Sequence, residues 1–115
     1  MPQECIFCKI ATKEIPVTAL YEDEHMIVFP DMNPVAPVHV LVIPKKHIAN
    51  LLELAPEDAS LVGHILLTIS KLASQLGIAE DGFRLVVNTK NNGGQTVHHL
   101  HWHVIGGRFM IWPPG

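Results

Sequence analysis

The sequence predicts an α+β fold in which an antiparallel sheet of about five strands packs against one long helix, with a second, short helix near the N-terminus. Three observations support this prediction. Short β-branched runs are separated by turn residues, as in strands joined in hairpin order. A single long segment repeats its apolar residues at the helical period. The 115 residues are enough for one domain with its own core. We therefore expect residues 1–115 to form a single domain.

The N-terminal half predicts a short helix followed by three strands. Residues 6–15 predict the helix, which Pro16 ends. Residues 18–31 predict two strands around a tight turn, and the second of them carries a continuous apolar run. A loop punctuated by prolines, 32–37, leads to the strand VHVLVIP at 38–44.

The C-terminal half predicts the long helix and two more strands. The helix covers 56–76, because a proline and two acidic residues suit its first turn and a glycine follows its end. A strand at 83–88 comes next, followed by a loop at 89–95. The last strand is predicted at 96–107, and the apolar tail 108–115 contains two prolines.

The composition indicates a globular protein and limits its partners. Hydrophobic residues make up 48% of the chain, charged residues 17%, and the net charge is -3. A nucleic acid polymer usually requires a basic surface, so we expect none as a partner, although a single nucleotide needs only a local site. No apolar run approaches the roughly 20 residues of a membrane span, and the first residues do not resemble a secretory signal. We expect a cytoplasmic protein that has no membrane partner.

The segment QTVHHLHWHVIGGR places histidines at every second position near the C-terminus. In a strand, alternate side chains point to the same face, so His99, His101 and His103 would share one face. His98 falls on the other side by parity and is interpreted as an edge residue. The apolar residues between the histidines would pack against the long helix: Leu100, Trp102 and Val104.

The spacing of these histidines favours an extended anionic ligand over a single metal ion. Residues two apart on a strand lie ~6.6 Å apart and residues four apart ~13 Å, so one ion reaches two of the three rings without strain. The preceding loop ends in two glycines, and at Gly94 the backbone can approach a phosphate closely. Gln95 and Thr96 add an amide and a hydroxyl, and Asn88 ends the neighbouring predicted strand.

A neutral imidazole at the centre of this row is a candidate nucleophile. At pH 7 a histidine of ordinary pKa keeps a lone pair on one ring nitrogen. His101 has an imidazole on each side, and flanking imidazoles can donate to phosphoryl oxygens or protonate a leaving group. The alternative for any single histidine is an ordinary surface or core residue.

These residues and several other segments resemble the histidine triad (HIT) superfamily, in particular its histidine triad nucleotide-binding (Hint) branch. The likeness covers almost the whole chain and includes HHLHWHV, IFCKIATKEIP, VLVIPKKHI, GGQTV and GGRFMIWPPG. The resemblance implies a HIT-like fold and a homodimer whose two sheets join. It also implies hydrolysis of the P–N bond in purine nucleoside monophosphate derivatives such as adenosine 5'-phosphoramidate, with no cofactor needed for catalysis.

The resemblance also implies roles for individual residues. His101 would attack phosphorus and form a nucleotidyl-histidine intermediate, and His99 and His39 would complete the catalytic set with His103. Asn88, Gly94, Gln95 and Thr96 would lie at the α-phosphate together with His103. Asp31 would bind the ribose, and Trp112 would reach the active site of the partner subunit. An apolar pocket would hold the base: Ile6, Phe7, Ile10, Phe29, Met32 and Leu41. Core packing, or a simple turn in the case of Asp31, is the alternative for these residues.

The pair Cys5-x-x-Cys8 leaves three interpretations open. In a reducing compartment it can be a redox pair, half of a metal site, or two ordinary thiols. Resemblance to certain bacterial HIT proteins implies a structural zinc held by Cys5, Cys8, His47 and His99, which is a suitable S2N2 donor set. If zinc binds there, His99 is a ligand and not a proton donor.

Two other functions compete with phosphoramidate hydrolysis. The first is dinucleoside polyphosphate hydrolysis, as in the fragile-histidine branch, but the ending GGR…WPPG argues against it. The second is a non-catalytic nucleotide-binding or scaffold role. A complete row of histidines argues against pure binding, since binding alone needs hydrogen-bond donors but no positioned nucleophile.

Overall fold

The computed structural model describes residues 5–115 and contains a five-stranded antiparallel sheet with the strand order β1-β2-β3-β5-β4. The predicted α+β class is confirmed. The helices are α1 (Ile6–Ala11), α2 (Ala59–Gln75) and α3 (Lys90–Gly93). The strands are β1 (Tyr21–Glu22), β2 (Met26–Pro30), β3 (Val38–Pro44), β4 (Phe83–Val86) and β5 (Trp102–Gly106). The described residues include no helix that is both long enough and apolar enough to cross a membrane.

The larger core lies between α2 and one face of the sheet. Alternate residues of each strand point to this face, as the two-residue period of a strand requires. The predicted packing of the apolar residues between the histidines is confirmed, since all three belong to this core together with the inner face of α2. Its main members are Val28, Val40, Val42, Ile65, Ile69, Leu72, Leu100, Trp102 and Val104.

A smaller core lies on the opposite face, where α1 covers the sheet. Phe7 and Ile10 of α1 pack on residues of β2 and β3 that point away from the larger core. Those strand residues are Ile27, Phe29, Leu41 and Ile43. The helix ends at Ala11, four residues before its predicted end, because Lys13 adopts a left-handed backbone conformation with φ 70°.

The last strand begins at Trp102 and not at the predicted residue 96. The pairing with β5 ends at Val42↔Trp102 on β3 and at Val86↔His103 on β4, and although β3 itself continues to Pro44, the residues just before Trp102 form no ladder with either described strand. It bonds instead to the loop after β3, where the N–H of Leu100 donates to the carbonyl of Ile48 at 2.6 Å. The extended backbone still alternates its side chains, which keeps Leu100 in the larger core.

The loop predicted at 89–95 contains the one-turn helix α3. Gly94 follows it with φ 78°, a left-handed conformation that favours glycine at a helix end. The long helix begins at Ala59, three residues later than predicted, because residues Pro56–Asp58 form a tighter 3₁₀ turn.

Candidate active site

The three alternating histidines have three different surroundings. His99 has no exposed surface and turns its ring towards the two cysteines. His101 is buried against α1, and its ring lies beside that of His103, with the ring centroids 5.1 Å apart. His103 is half-buried and contacts His39. The shared face predicted from the spacing therefore holds three rings that make different contacts.

The tautomer of His101 is fixed by the backbone of its neighbour. Nδ1 of His101 lies 2.7 Å from the carbonyl oxygen of His99, and because a carbonyl only accepts, Nδ1 carries the proton. The lone pair is then on Nε2. Within residues 5–115, every buried side-chain nitrogen and oxygen has a hydrogen-bond partner. Nε2 of His101 has no hydrogen-bond partner among these residues, so this nitrogen is not fully buried and reaches the surface.

Burial keeps the His101 ring uncharged. Desolvation lowers its pKa, and this effect outweighs the hydrogen bond to His99 and the attraction of Asp31, which act in the opposite direction. The edge-on contact with Phe7, at a centroid distance of 5.1 Å, supplies much of that apolar surrounding. A neutral ring that has its second nitrogen held by an acceptor is the form in which histidine attacks phosphorus.

A second imidazole pair lies across β3 and β5. Nδ1 of His39 accepts the N–H of Val35 at 3.1 Å, so the proton of a neutral His39 is on Nε2. Nε2 lies 2.9 Å from Nδ1 of His103 and donates to it. His103 then carries its own proton on Nε2. Desolvation lowers the pKa of His103, helped by the neighbouring His101 and His39 rings and opposed by Asp31.

Asp31 lies at the edge of this pair. Its Oδ2 is 3.4 Å from Nε2 of His39 and 3.9 Å from Nδ1 of His103. Its Oδ1 accepts the N–H of Asn33 at 2.8 Å, which closes the turn that follows β2. The carboxylate therefore has the turn role that the sequence left open and also lies beside the histidines, and its contact with a ribose stays a prediction.

The loop before the histidines is held in place by Gln95, whose contact with a substrate stays a prediction. Its amide oxygen accepts the N–H of Lys90 at 3.0 Å. Its amide nitrogen donates to the carbonyls of Ala49 and Val97 at 2.8 and 3.0 Å. Both amide protons are used, so the side chain braces the loop and has no proton left for a ligand. Thr96 beside it is exposed.

Asn88 lies past the end of β4 and is half-buried. It lines a cavity of about 560 Å³, together with Ile105 of β5 and residues of the C-terminal tail. Arg84 ties that tail to β4 by donating to the carbonyl of Ile111 at 3.0 Å. Trp112 follows in the tail and is 80% exposed. Its contact with a partner subunit stays a prediction.

The residues predicted to bind the base divide into two groups. The first group is buried in the smaller core next to the His101 ring: Phe7, Ile10, Phe29 and Leu41. The second group is exposed. Met32 is 94% exposed on the loop after β2, and Ile6 turns towards a different cavity, beside Cys5. In this conformation the second group forms no part of an apolar wall around His101.

The two cysteines and two histidines meet between α1 and the loop after β3. The ligating atoms of Cys5, Cys8, His47 and His99 all lie within 4.8 Å of one another. Nδ1 of His99 is 3.4 Å from Sγ of Cys5, 3.5 Å from Sγ of Cys8 and 3.2 Å from Nδ1 of His47. The cysteines are not joined in a disulfide.

This geometry fits a tetrahedral zinc ion. Bond lengths of about 2.3 Å to sulfur and 2.0 Å to nitrogen place neighbouring ligand atoms roughly 3.3–3.8 Å apart. Nε2 of His99 donates to the carbonyl of Pro44 at 2.8 Å, so the lone pair on Nδ1 points into the cluster. Burial lowers the pKa of His99 to about 4 and, together with Cys5, raises that of Cys8 to about 11. Metal binding must therefore displace a thiol proton but none from His99.

Three backbone groups complete the site, and the sequence analysis did not identify them. The N–H of Val35 orients His39, the carbonyl of Pro44 orients His99, and the carbonyl of His99 orients His101. Any residue type can supply such a group, so the sequence carries no signal for them. Only the path of the chain determines which backbone atoms meet which rings.

Comparison with known proteins agrees with this geometry. The family model described as the HIT domain matches residues 12–110. The chain is 53% identical over 115 residues to a HIT-like protein from Synechococcus elongatus, covering 100% of both chains. It is 49% identical over 102 residues to protein HitA from Neisseria gonorrhoeae, covering 89% of this chain and 94% of HitA.

A solved structure also agrees over nearly the whole length. The crystal structure of a HIT family hydrolase from Legionella pneumophila has a TM-score of 0.95 and 49% sequence identity to this chain. The match covers 97% of this chain and 100% of that one. Because the family model and the relatives agree over most of the sequence, the chain belongs to the HIT domain family.

Proposed function

We propose that the protein hydrolyses purine nucleoside phosphoramidates of the kind cleaved by the Hint branch, and releases a nucleoside 5'-monophosphate. The observation that carries the proposal is the state of His101. Its Nδ1–H is held by a backbone carbonyl at 2.7 Å, and its Nε2 reaches the surface with a lone pair. A site that only bound a phosphate would use N–H donors, whereas this nitrogen is an acceptor aimed outwards.

The reaction then takes two steps at phosphorus. Nε2 of His101 forms a bond to phosphorus while the P–N bond to the leaving amine breaks, and the amine takes a proton from water. The carbonyl of His99 stabilises the positive charge that develops on the ring, because it accepts the Nδ1–H. In the second step a water adds its oxygen to phosphorus, restores the lone pair of Nε2 and releases the proton that balances the first step.

His103 supplies a donor for the phosphoryl oxygens. With Nδ1 accepting from His39 at 2.9 Å, a neutral His103 presents Nε2–H. A fixed donor placed where negative charge develops stabilises the transition state at no cost in reorganisation. Of the two roles expected for a flanking imidazole, hydrogen bonding to phosphoryl oxygens is the one that this tautomer favours.

The rest of the nucleotide is assigned by position. The exposed Thr96 offers its side-chain hydroxyl to the α-phosphate, Gly94 lets the backbone come close to it, and Asn88 adds a side-chain amide. Asp31 faces the histidine pair and offers a carboxylate oxygen to the ribose hydroxyls. The aromatic cluster behind His101 provides an apolar surface for a purine, which suits adenine and guanine alike.

The same proposal includes a structural zinc in the Cys5, Cys8, His47 and His99 cluster. Zinc bound there would fix α1 to the loop after β3 and would supply no reacting group, because all four of its positions are protein ligands. His99 acts as a ligand in this scheme, and its backbone carbonyl still holds the nucleophile.

We also propose the homodimer of the Hint branch. β4 is an edge strand that pairs only with β5, and its Phe83 and Leu85 are each 38% exposed. Exposed apolar side chains on an open edge favour pairing with a second copy. Leu85→Lys is expected to shift the protein from dimer to monomer in size-exclusion chromatography with light scattering, whereas wild-type protein that elutes as a monomer would contradict the proposal.

The activity is tested with two substrates and two variants. Adenosine 5'-phosphoramidate and diadenosine tetraphosphate are each given to the wild type, to His101→Ala and to His98→Ala, and AMP release is measured. His98 is an exposed imidazole three residues upstream and serves as the matched control. We expect cleavage of the phosphoramidate by wild type and His98→Ala, and a loss of at least about 10³-fold in His101→Ala.

The other outcomes discriminate the rival functions. Faster cleavage of diadenosine tetraphosphate would favour the dinucleoside polyphosphate hydrolase. Release of AMP from neither substrate, combined with AMP binding in calorimetry, would favour the nucleotide-binding role. Mass spectrometry of wild-type protein quenched with denaturant at alkaline pH, where a P–N bond to imidazole persists, is expected to show one added nucleotidyl group, which His101→Ala must lack.

A further inference from the structure

We infer that Cys5 and Cys8 form a site of reversible oxidation, with a peroxide as the oxidant. Their oxidation weakens the hydrogen bond from Nδ1 of the nucleophile His101 to the carbonyl of His99. The inference rests on the proposed function for its effect on catalysis, but the modification itself does not depend on it. A single residue, His99, links the cysteines to the nucleophile. Its ring contacts the two sulfurs, and its backbone carbonyl accepts the hydrogen bond from His101.

His99 connects the two groups directly. Its Nδ1 lies 3.4 Å from Sγ of Cys5 and 3.5 Å from Sγ of Cys8. Its carbonyl oxygen accepts the Nδ1–H of His101 at 2.7 Å. The residue is fully buried, so its ring cannot move without moving its backbone or its neighbours. A change at the sulfurs therefore reaches the nucleophile through one side chain and one peptide unit.

The cysteines are placed to form a disulfide. Both sulfurs lie within the 4.8 Å span of the cluster, and they are three residues apart at the start of α1. The backbone N–H of Cys8 donates to Sγ of Cys5 at 3.2 Å, which holds the Cys5 sulfur against the first turn of α1, where Cys8 lies. A disulfide requires the sulfurs to approach to about 2.05 Å, so both must leave the positions that a tetrahedral ion needs.

A path from solvent leads to this cluster. A cavity of about 520 Å³ has Cys5 and His47 in its wall, beside Ile6, Ala49 and Val97. Cys5 is only partly buried, whereas Cys8 is buried below it. A small neutral oxidant such as hydrogen peroxide can enter a cavity of this size, whereas the protein shields the second thiol. Cys5 is therefore the sulfur that the oxidant meets first.

The oxidation balances in two steps. Hydrogen peroxide transfers an oxygen to the Cys5 thiol, which gives a sulfenic acid and one water. The Cys8 thiol then attacks the Cys5 sulfur, so that an S–S bond forms and a second water leaves. In total the two sulfurs lose two electrons and one peroxide becomes two waters; the two protons come from the thiols in the metal-free site and from solvent in the zinc-loaded site, where both sulfurs are thiolates. A thiol reductant reverses the change.

The consequence for the site is a loss of two of the four metal donors. His47 and His99 alone hold zinc far more weakly than the complete set, so the ion leaves. The ring of His99 loses its anchor on the Nδ1 side while the carbonyl of Pro44 still holds the other nitrogen. The His99 carbonyl then supports the Nδ1–H of His101 less firmly, and we expect kcat/KM to fall at least tenfold.

The test treats zinc-loaded wild-type protein with hydrogen peroxide and follows four quantities. Intact mass should decrease by about 2 Da as two thiols become one disulfide. A colorimetric chelator should detect about one zinc released per chain. The ¹⁵N-edited NMR signal of the His101 Nδ1–H should weaken or shift. Phosphoramidate hydrolysis should fall, and all four changes should reverse with dithiothreitol and added zinc.

A matched variant separates oxidation of this pair from general damage. Cys5→Asp keeps an anionic metal ligand but cannot form the disulfide, and each of its readouts is compared with its own untreated sample. We expect peroxide to leave its zinc and its His101 signal unchanged. Loss of zinc or of that signal from Cys5→Asp to the same extent as from wild type would overturn the inference.

Two further outcomes would also overturn it: no disulfide in wild-type protein, or a disulfide that changes neither zinc content nor the His101 signal. A wild type without phosphoramidate activity before treatment would instead count against the proposed function. The mass, zinc and NMR readouts keep their meaning in that case, so the two failures are distinguishable.

Discussion

Nε2 of His39 lies 2.9 Å from Nδ1 of His103, and this contact joins β3 to β5 through two imidazole rings. Because the N–H of Val35 occupies the other nitrogen of His39, the proton between the two rings belongs to His39. The orientation of His103, and the proton that it presents to a ligand, therefore depend on a residue that itself needs no contact with substrate.

Replacement of His39 should reduce turnover more than binding. In His39→Phe the ring stays in place but no proton holds Nδ1 of His103, so this ring loses its fixed orientation. A misplaced catalytic donor costs about 100-fold in rate. We expect that loss mainly in kcat for adenosine 5'-phosphoramidate, measured beside His98→Phe as the control. A variant that changed KM alone would show that His39 contributes to binding and not to the position of His103.

Zinc content should depend on all four residues of the cluster. Protein purified without chelators is expected to contain about one zinc per chain by elemental analysis. Cys8→Ser and His47→Ala should each contain far less, because three ligands and a displaced geometry bind zinc weakly. Removal of zinc from wild type should lower Tm. A full zinc content in both variants would mean that the metal binds elsewhere.

Two glycine substitutions should have opposite effects on stability. A Cβ on Gly106 would lie 2.8 Å from Cγ2 of Ile78, which is buried, so Gly106→Ala should lower the free energy of unfolding by about 1–3 kcal/mol. A Cβ on Gly63 in α2 would contact nothing within 4 Å. Gly63→Ala should therefore raise that free energy by about 0.5–1 kcal/mol. Urea denaturation measures both, and equal midpoints for the two variants would contradict this packing.

Acid should weaken the contact between Asp23 and His64. Desolvation acts to raise the pKa of Asp23. The hydrogen bonds from His64, Tyr21 and the N–H groups of His25 and Met26 outweigh it, and they lower the pKa from 3.8 to about 2. A carboxyl with a lowered pKa contributes stability that is present above pH 3.8 and is lost as the pH falls towards 2. At this partly exposed position the contribution is about 1 kcal/mol.

The difference in Tm between wild type and Asp23→Asn tests this contribution. It should be largest near neutral pH and should decrease as the pH is lowered from 4 to 2. Glu24→Gln removes an exposed neighbouring carboxylate and is the control, for which no such trend is expected. A constant difference between wild type and Asp23→Asn across that range would contradict the role of the charge.

Much of the architecture follows from local patterns. The helical repeat of apolar residues predicted α2. The alternation of side chains along a strand predicted that Leu100, Trp102 and Val104 face this helix. These predictions are confirmed because burial of apolar surface dominates the energetics at those positions. The chain also brings Cys5, Cys8, His47 and His99 together, although 94 residues separate the first from the last.

The start of β5 could not be predicted in the same way. Residues 96–101 have strand-like composition, but β4 ends opposite His103 and the pairing with β3 stops at Trp102, after which the N–H of Leu100 bonds to the loop that follows β3. The different contacts and orientations of His99, His101 and His103 could not be predicted either. They depend on backbone atoms of Val35, Pro44 and His99, and a backbone N–H or carbonyl is the same for nearly every residue type.

Because β5 begins only at Trp102, His103 lies within the strand, whereas His99 and His101 lie before it. His103 lies within the sheet, opposite Leu41 on one side and Val86 on the other, so in the proposed reaction it would give the phosphate a fixed hydrogen-bond donor. His101 lies just ahead of the ladder, where a small displacement breaks no strand pairing. Formation of a covalent bond requires the attacking nitrogen to advance on phosphorus while its surroundings stay still. In the proposed reaction His101, which lies outside the ladder, would advance on phosphorus while His103, which lies within it, stays in place.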